Sequence, residues 1–304
     1  MLALIAALLT FAPAAFAEPQ APATTTTATP RPAIWLLEDE DTKIYLFGTT
    51  HVFPASLRWR SAALDRVIAQ ADELVMETPD ASDEEMDTSE RMFGPMMMGK
   101  SIPILERVSP NVRPALRAAL EATRVPMEFY DSLHTWAVAF LLTGFQATQG
   151  AVQEDGAAPG EEVALSGAEE QLGALFRRSK RPISGVETVD QQIGFFASLT
   201  PAGQRRFLEM TVMGGDPAAP TIDMVGTAWV QGNVEAIATE MAAMPPDLYD
   251  VLLTRRNRNW TQWLVQRLQR PGTVLFAVGA GHLAGPESVQ RMLAARGLQA
   301  RRID

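Results

Sequence analysis

Four short apolar runs constrain this chain most: Lys43–Phe47 (KIYLF), Glu73–Met76 (ELVM), Pro182–Val186 (PISGV) and Thr273–Val278 (TVLFAV). Each has the length of a strand and is closed by glycine or a charged residue. Helical spacing fills the gaps between them. Leu64, Val67, Ile68 and Ala71 fall on one helix face, and the pattern stays helical from Ser109 to about Gly150. A helix is expected near Glu169–Arg178. Residues 188–270 are helical again, with starts marked by Thr200-Pro201 and Pro245-Pro246. A last helix runs from near Pro286 to Gly297, and Leu298–Ile303 suits a final strand. Strands alternating with helices predict an α/β fold: a largely parallel or mixed sheet flanked by helices. The third and last strands are far apart in sequence, which predicts a long helical insertion or lid between them.

The residues just past each strand carry the chemistry. Gly48-Thr49-Thr50-His51 comes after IYLF, and Gly279-Ala280-Gly281-His282 comes after LFAV. In both, glycine allows a tight turn and the imidazole sits just past the carboxyl end of a strand. Ligands of open parallel sheets bind at that edge. Glu77 ends the strand ELVM and Glu187 ends ISGV. Parallel strands would bring His51, Glu77, Glu187 and His282 to one edge. Two imidazoles and two carboxylates suit zinc, manganese, cobalt or iron, and a bound metal acidifies water and polarises carbonyls. Either glutamate can be a general base instead of a ligand. One histidine after one strand is more often a hydrogen-bonded loop residue; the recurrence argues for a site. Of the other candidates, the basic run Arg255–Trp260 (RRNRNW) can turn Arg256 or Asn257 inward, to bind substrate or support a site carboxylate. His134 lies in a helical stretch and is expected to be structural.

Composition narrows the function classes. Met1–Ala17 carries no charged side chain, has an apolar run from Leu2 to Phe11, and ends in Ala15-Phe16-Ala17, an A-x-A-like cleavage site. A basic n-region is missing, so the terminal amine alone supplies positive charge. The segment reads as a cleaved secretory signal, placing the mature protein in the periplasm or outside the cell. Residues 18–32 are rich in Pro, Ala and Thr and read as a disordered linker; residues 33–304 read as one domain. No later run reaches the ~18–20 apolar residues of a membrane span. The net charge of −10 disfavours nucleic acid as a partner. Without cysteine the chain has neither disulfides nor thiolate ligands. Residues 80–100 are acidic, then rich in methionine, and suit a mobile insertion or an adaptable apolar surface. There is no H-E-x-x-H, G-x-S-x-G or Walker A motif. The spacing Gly279-x-Gly281-x-x-x-Gly285 is loosely that of a dinucleotide loop, but His282 would stand where a pyrophosphate must approach.

Five segments together resemble the TraB/PrgY/GumN family: LFGTTHVFP (Leu46–Pro54), LVMET (Leu74–Thr78), GVETVDQQ (Gly185–Gln192), RRNRNW and VGAGHLAGPESV (Val278–Val289). They span about residues 33–304 in the expected order. Tyr130-Asp131-x-Leu133-x-x-Trp136 is similar to the family's middle segment, with His134 where a lysine is expected. The resemblance implies an erythromycin-esterase/ChaN-like α/β fold. It also implies the activity of the Tiki proteins, metal-dependent peptidases supported by manganese or cobalt, which trim the amino terminus of Wnt proteins. Carried over by position, His51, His282 and Glu77 become the metal ligands, with zinc as another candidate ion. Glu77 and Glu187 become the candidate acid–base residues; Glu187 and Asn257 come from the strand-end and basic-run readings. Other members dampen peptide pheromone signalling, so a non-catalytic protein that sequesters peptides is the alternative. Either way the expected partner is a peptide or protein. Ser166–Leu172 (SGAEEQL) departs from the Gly-hydrophobic-Asp pattern expected there, so that loop is assigned no site role.

Overall fold

The computed structural model describes residues 29–78, 94–99, 101–154, 163–214 and 222–304. The expected leader, most of the linker and most of the acidic stretch before the methionines lie outside the described residues.

The chain opens with a hairpin, β1 (Ile34–Glu38) and β2 (Thr42–Thr49), paired antiparallel. Its turn is closed by Asp39, whose Oδ1 accepts the N–H of Thr42 at 2.9 Å, the local bonding that suits aspartate to turns. The sequence reading passes over β1. IWLL is buried at four consecutive positions and so shows no alternation to mark a strand. After β3 (Phe53–Pro54) comes α1 (Ala62–Gln70). Its first turn is capped by Ser61 Oγ, which accepts from the N–H of Leu64 at 3.1 Å; its buried face is Leu64, Val67 and Ile68, as the spacing predicts. β4 (Glu73–Met76) is next in the chain. Then come α2 (Arg113–Ala122), α3 (Met127–Asp131), α4 (Thr135–Glu154), β5 (Leu165–Ser166), α5 (Ala168–Arg178) and β6 (Ile183–Gly185).

Helices α6 (Val189–Ala197), α7 (Pro201–Met213), α8 (Ile222–Val230), α9 (Val234–Ala242) and α10 (Pro246–Tyr249) lead into a π-helical turn, Asp250–Thr254. From this turn α11 (Arg255–Arg267) continues. The chain ends with β7 (Gly272–Gly279), a single 3₁₀ turn (Ala280–Leu283), α12 (Val289–Ala294) and β8 (Arg301–Arg302).

Six strands form a mixed sheet in the order β6-β4-β7-β2-β1-β8. β6, β4, β7 and β2 are mutually parallel, while β1 and β8 pair antiparallel at one end. The parallel part is covered on both faces. Tyr45, Phe47, Leu275 and Ala277 belong to the large core under the helical layer. Their alternates Ile44, Leu46, Val274, Phe276 and Val278 pack with Trp260 and Leu264 of α11 and with Val289 and Leu293 of α12. The long segment between β6 and β7 is a packed layer. Phe207, Leu208, Trp229, Ile237 and Met241 share the core of the sheet residues. Of the methionines, Met96 is buried whereas Met97 and Met98 are about half exposed, at 45% and 42%.

Candidate active site

The parallel strands deliver their ends to one place. β2 and β7 run in register, Gly48 opposite Val278 and Thr49 opposite Gly279, so the two Gly-x-x-His turns leave the sheet side by side. A methyl group on Gly48 would stand 3.0 Å from the Cα of Ala280. The glycine is what lets the turns come this close. Trp229 of α8 pins the first turn by donating Nε1–H to the carbonyl of Gly48 at 2.7 Å. On the other side of β7, Glu77 and Glu187 leave β4 and β6 together. The N–H of Glu187 bonds the carbonyl of Glu77 at 2.8 Å, continuing the ladder.

Arg256 joins these ends. Its Nη2 donates to Oε2 of Glu77 at 2.6 Å and to Oε2 of Glu187 at 2.7 Å. Its Nε donates to both oxygens of Glu187, at 3.0 and 3.1 Å. Its Nη1 faces Nε2 of His282 at 3.2 Å and the carbonyl of Leu252 at 3.4 Å. All five N–H groups have acceptors. The remaining carboxylate contacts are also N–H donors. Gly279 N donates to Oε1 of Glu77 at 2.8 Å, Trp260 Nε1 to Oε1 of Glu187 at 2.8 Å, and Gln192 Nε2 to each glutamate at 3.3 Å. Burial by itself would raise the pKa of Glu77. Arg256 foremost, with His51 and the N–H of Gly279, outweighs it and holds the carboxyl at about 2. Both carboxylates are thus paired with one buried guanidinium, the arrangement a buried charge requires.

The two imidazoles differ. His282 is fully buried, and its Nδ1 lies 2.5 Å from Oδ1 of Asn257. The Nδ2 of Asn257 donates to the carbonyls of His282 and Glu287, which leaves Oδ1 to accept. Nδ1 of His282 therefore carries the proton, and Nε2 presents its lone pair to Arg256. Burial, then Arg256, drives the His282 pKa well below the usual value, so the ring is neutral. His51 has the opposite environment. Its Nδ1 lies 2.7 Å from Oε1 of Glu169. The two groups form a buried ion pair when the ring is protonated. Burial opposes protonation of His51, but Glu169 and then Glu77 outweigh it and raise its pKa.

Glu169 is the residue the sequence reading missed, on a loop assigned no site role. Gly167, directly before α5, permits the contact: a Cβ there would stand 2.3 Å from the carbonyl oxygen of His51. Ala168 N donates to the carbonyl of Thr50 at 3.0 Å, and Thr49 Oγ1 donates to Oε1 of Glu169. The available signal was Glu169-Glu170 opening a helix. Glu170 accepts from the N–H of Gly167 at 3.3 Å and Glu169 meets His51, a division the sequence leaves open. Two further buried oxygens, Thr50 Oγ1 and Glu169 Oε2, have no hydrogen-bond partner.

His51, Glu77, Glu187, His282, Arg256 and Asn257 are all brought into this network. His134 stands apart, just before α4, stacked near Trp136. As a ligand set for a metal ion the expected residues do not fit as placed. Among the described residues no group of three or more histidines and carboxylates is arranged to hold one. The physical reason is Arg256, whose N–H groups take the His282 lone pair and the carboxylate oxygens. Among the described residues, no helix is long and apolar enough to cross a membrane.

No curated protein and no solved structure matches the chain. The model of the TraB/PrgY/gumN family matches residues 33–302. That span takes in both histidine turns, the strand-end glutamates and the Arg256-Asn257 pair, and the chain belongs to the TraB/PrgY/gumN family.

Proposed function

We propose that the chain is an exported hydrolase that cleaves peptide bonds, with His51 and Glu169 as its proton-transfer pair. The observation that carries this reading is the buried His51–Glu169 pair, with Nδ1 2.7 Å from Oε1 and the other carboxylate oxygen, Oε2, buried without a hydrogen-bond partner. Native proteins satisfy nearly all buried polar atoms, and the exceptions concentrate where a ligand or catalytic task explains them. The pair lies at the more open end of the site: the side chain of Glu169 is 15% exposed, that of His282 0%.

In this reading, Glu169 accepts the proton of an attacking water, and His51, protonated over a wider pH range than free imidazole, gives a proton to the leaving amine. Glu77, Arg256, Glu187 and His282 form a fixed floor with a permanent charge pattern beside the reacting carbonyl, and need no reorganisation during the reaction. Peptide as the substrate class rests on the resemblance of both histidine turns to the Tiki peptidases, and export rests on the Met1–Ala17 leader.

The test is cleavage of a mixed peptide library, read by mass spectrometry. His51→Ala and Glu169→Gln should each lower turnover by about 100-fold or more. Lys43→Ala, on an exposed position of β2, should leave it unchanged. Peptides bound but never cut by the wild type would sink the hydrolase reading and favour sequestration.

A further inference from the structure

We propose that Arg256 is the resident cation of this site, standing where a divalent ion would have to stand and keeping the site free of metal. The inference concerns which cation balances the site, not which bond is cut.

Glu77 Oε2, Glu187 Oε2 and the Nε2 lone pair of His282 all face one guanidinium. Two carboxylates and an imidazole with its other nitrogen hydrogen-bonded are the donor set, and the supporting contact, that zinc or manganese sites use. Here the guanidinium engages all three. Its nitrogens lie 2.6, 2.7 and 3.2 Å from the three atoms, so a cation about 2 Å from each would collide with it.

Arg256 cannot readily step aside. Its side chain is 6% exposed, all five N–H groups have acceptors, and the guanidinium carbon lies 4.8 Å from the Trp260 ring centre and 5.9 Å from that of Phe195. The Leu252 carbonyl that accepts from it belongs to the π-helical turn just before it. A metal ion would also have to displace N–H donors: Glu77 Oε2 and Glu187 Oε2 already receive Gln192 in addition to Arg256. One guanidinium, fixed covalently, replaces an ion that would have to be acquired.

The distinguishing test is a gain of function toward metal. Untagged wild type, Arg256→Lys and Arg256→Ala are incubated with manganese, cobalt or zinc, desalted, and assayed for bound metal by mass spectrometry. Cobalt absorption reports the coordination geometry. Wild type and Arg256→Lys should hold less than about a tenth of an equivalent, while Arg256→Ala, with two buried carboxylates left unpaired, should hold about one. That equivalent should disappear when His282→Ala or Glu77→Gln is added. A wild type that retains about one equivalent, lost on His282→Ala, overturns the proposal. So does a folded Arg256→Ala that binds none. Should Arg256→Ala fail to fold, thermal denaturation of wild type decides: millimolar manganese should leave its midpoint unmoved, and a rise of more than about 5 °C overturns the proposal. None of these readings needs a substrate, so they stand or fall apart from peptide cleavage.

Discussion

His51 and His282 lie past neighbouring strands in the same Gly-x-x-His setting, yet their surroundings drive their protons in opposite directions. Glu169 raises the pKa of the first; burial and Arg256 lower that of the second. Such a split between two titratable groups is how one site keeps an acid and a neutral partner at the same pH. It can be read by NMR titration of the imidazole protons. The His51 resonance should titrate above the ordinary histidine value and that of His282 well below it. In Glu169→Gln the charged form of His51 loses its main support, so its pKa falls, and the alkaline limb of any pH–rate profile moves to lower pH with it. An unmoved midpoint would remove Glu169 from the mechanism. A second residue outside the site is tested the same way. Glu240 is 7% exposed, neither of its carboxylate oxygens has a partner, and burial pushes its pKa up to about 8. The folded protein holds this proton between about pH 4.5 and 8, while the unfolded chain releases it. Stability from this group is full below the unfolded value and is lost as pH rises toward 8, by on the order of a few kcal/mol. Glu240→Gln should flatten that slope in denaturant titrations at pH 5 and pH 8; equal slopes in both proteins would refute the assignment.

Single elements explain which parts of the site were legible in the sequence. The strand ends were, because Glu77 and Glu187 directly follow ELVM and ISGV, and the two Gly-x-x-His turns directly follow IYLF and LFAV. Arg256 and Asn257 were recognisable as candidates, but the reason both face inward was not. They come after a π-helical turn, Asp250–Thr254, and such a widened turn shifts the helical register locally, often at a functional site. Its sequence, DVLLT, carries no mark of it. The metal set was read from residue types at matching strand ends. Types alone cannot show that a neighbouring arginine reaches the same atoms first. α5 escaped because its contribution depends on close backbone approach and not on a side-chain pattern: Gly167 sits against His51, and only then does Glu169 meet the imidazole. Gly167→Ala tests this. Its Cβ would stand 2.3 Å from a backbone oxygen, so the start of α5 must move. Overpacking of this kind costs about 1–3 kcal/mol. Thermal denaturation should show that loss, and the His51 titration midpoint should drop toward the ordinary value. A stable variant with an unchanged midpoint would mean that α5 does not set the imidazole.

At the scale of the whole molecule, the sheet has a site half and a closure half. The parallel strands β6, β4, β7 and β2 carry the site at their carboxyl edge, and the antiparallel strands β1 and β8 finish the opposite side. β8 is short and exposed, but it joins the two ends of the described chain. The N–H of Ile303 bonds the carbonyl of Ile34 at 3.0 Å, and the N–H of Ile34 bonds Oδ1 of Asp304 at 3.1 Å. Arg302 reaches from β8 to the carbonyl of Gly232, before α9, and lies over the ring of Trp35. Deleting residues 301–304 would leave β1 as a bare edge with Trp35 less covered, the kind of edge that invites pairing between chains. The lost hydrogen bonds amount to about 2–3 kcal/mol. The midpoint of thermal unfolding should therefore fall by roughly 3–6 °C in a chain of this length. Part of that difference depends on pH. Burial opposes ionisation of Asp304, but Arg302 and the N–H of Ile34 outweigh it and lower its pKa. Its contribution is present above the unfolded value and is lost as pH falls through the folded one. The gap between intact and shortened chains should therefore be full at pH 7 and narrow below about pH 4. Light scattering on the same samples should show the shortened chain associating first. An equal gap at both pH values would assign the effect to strand pairing alone, and no gap at all would show that β8 does not secure the edge.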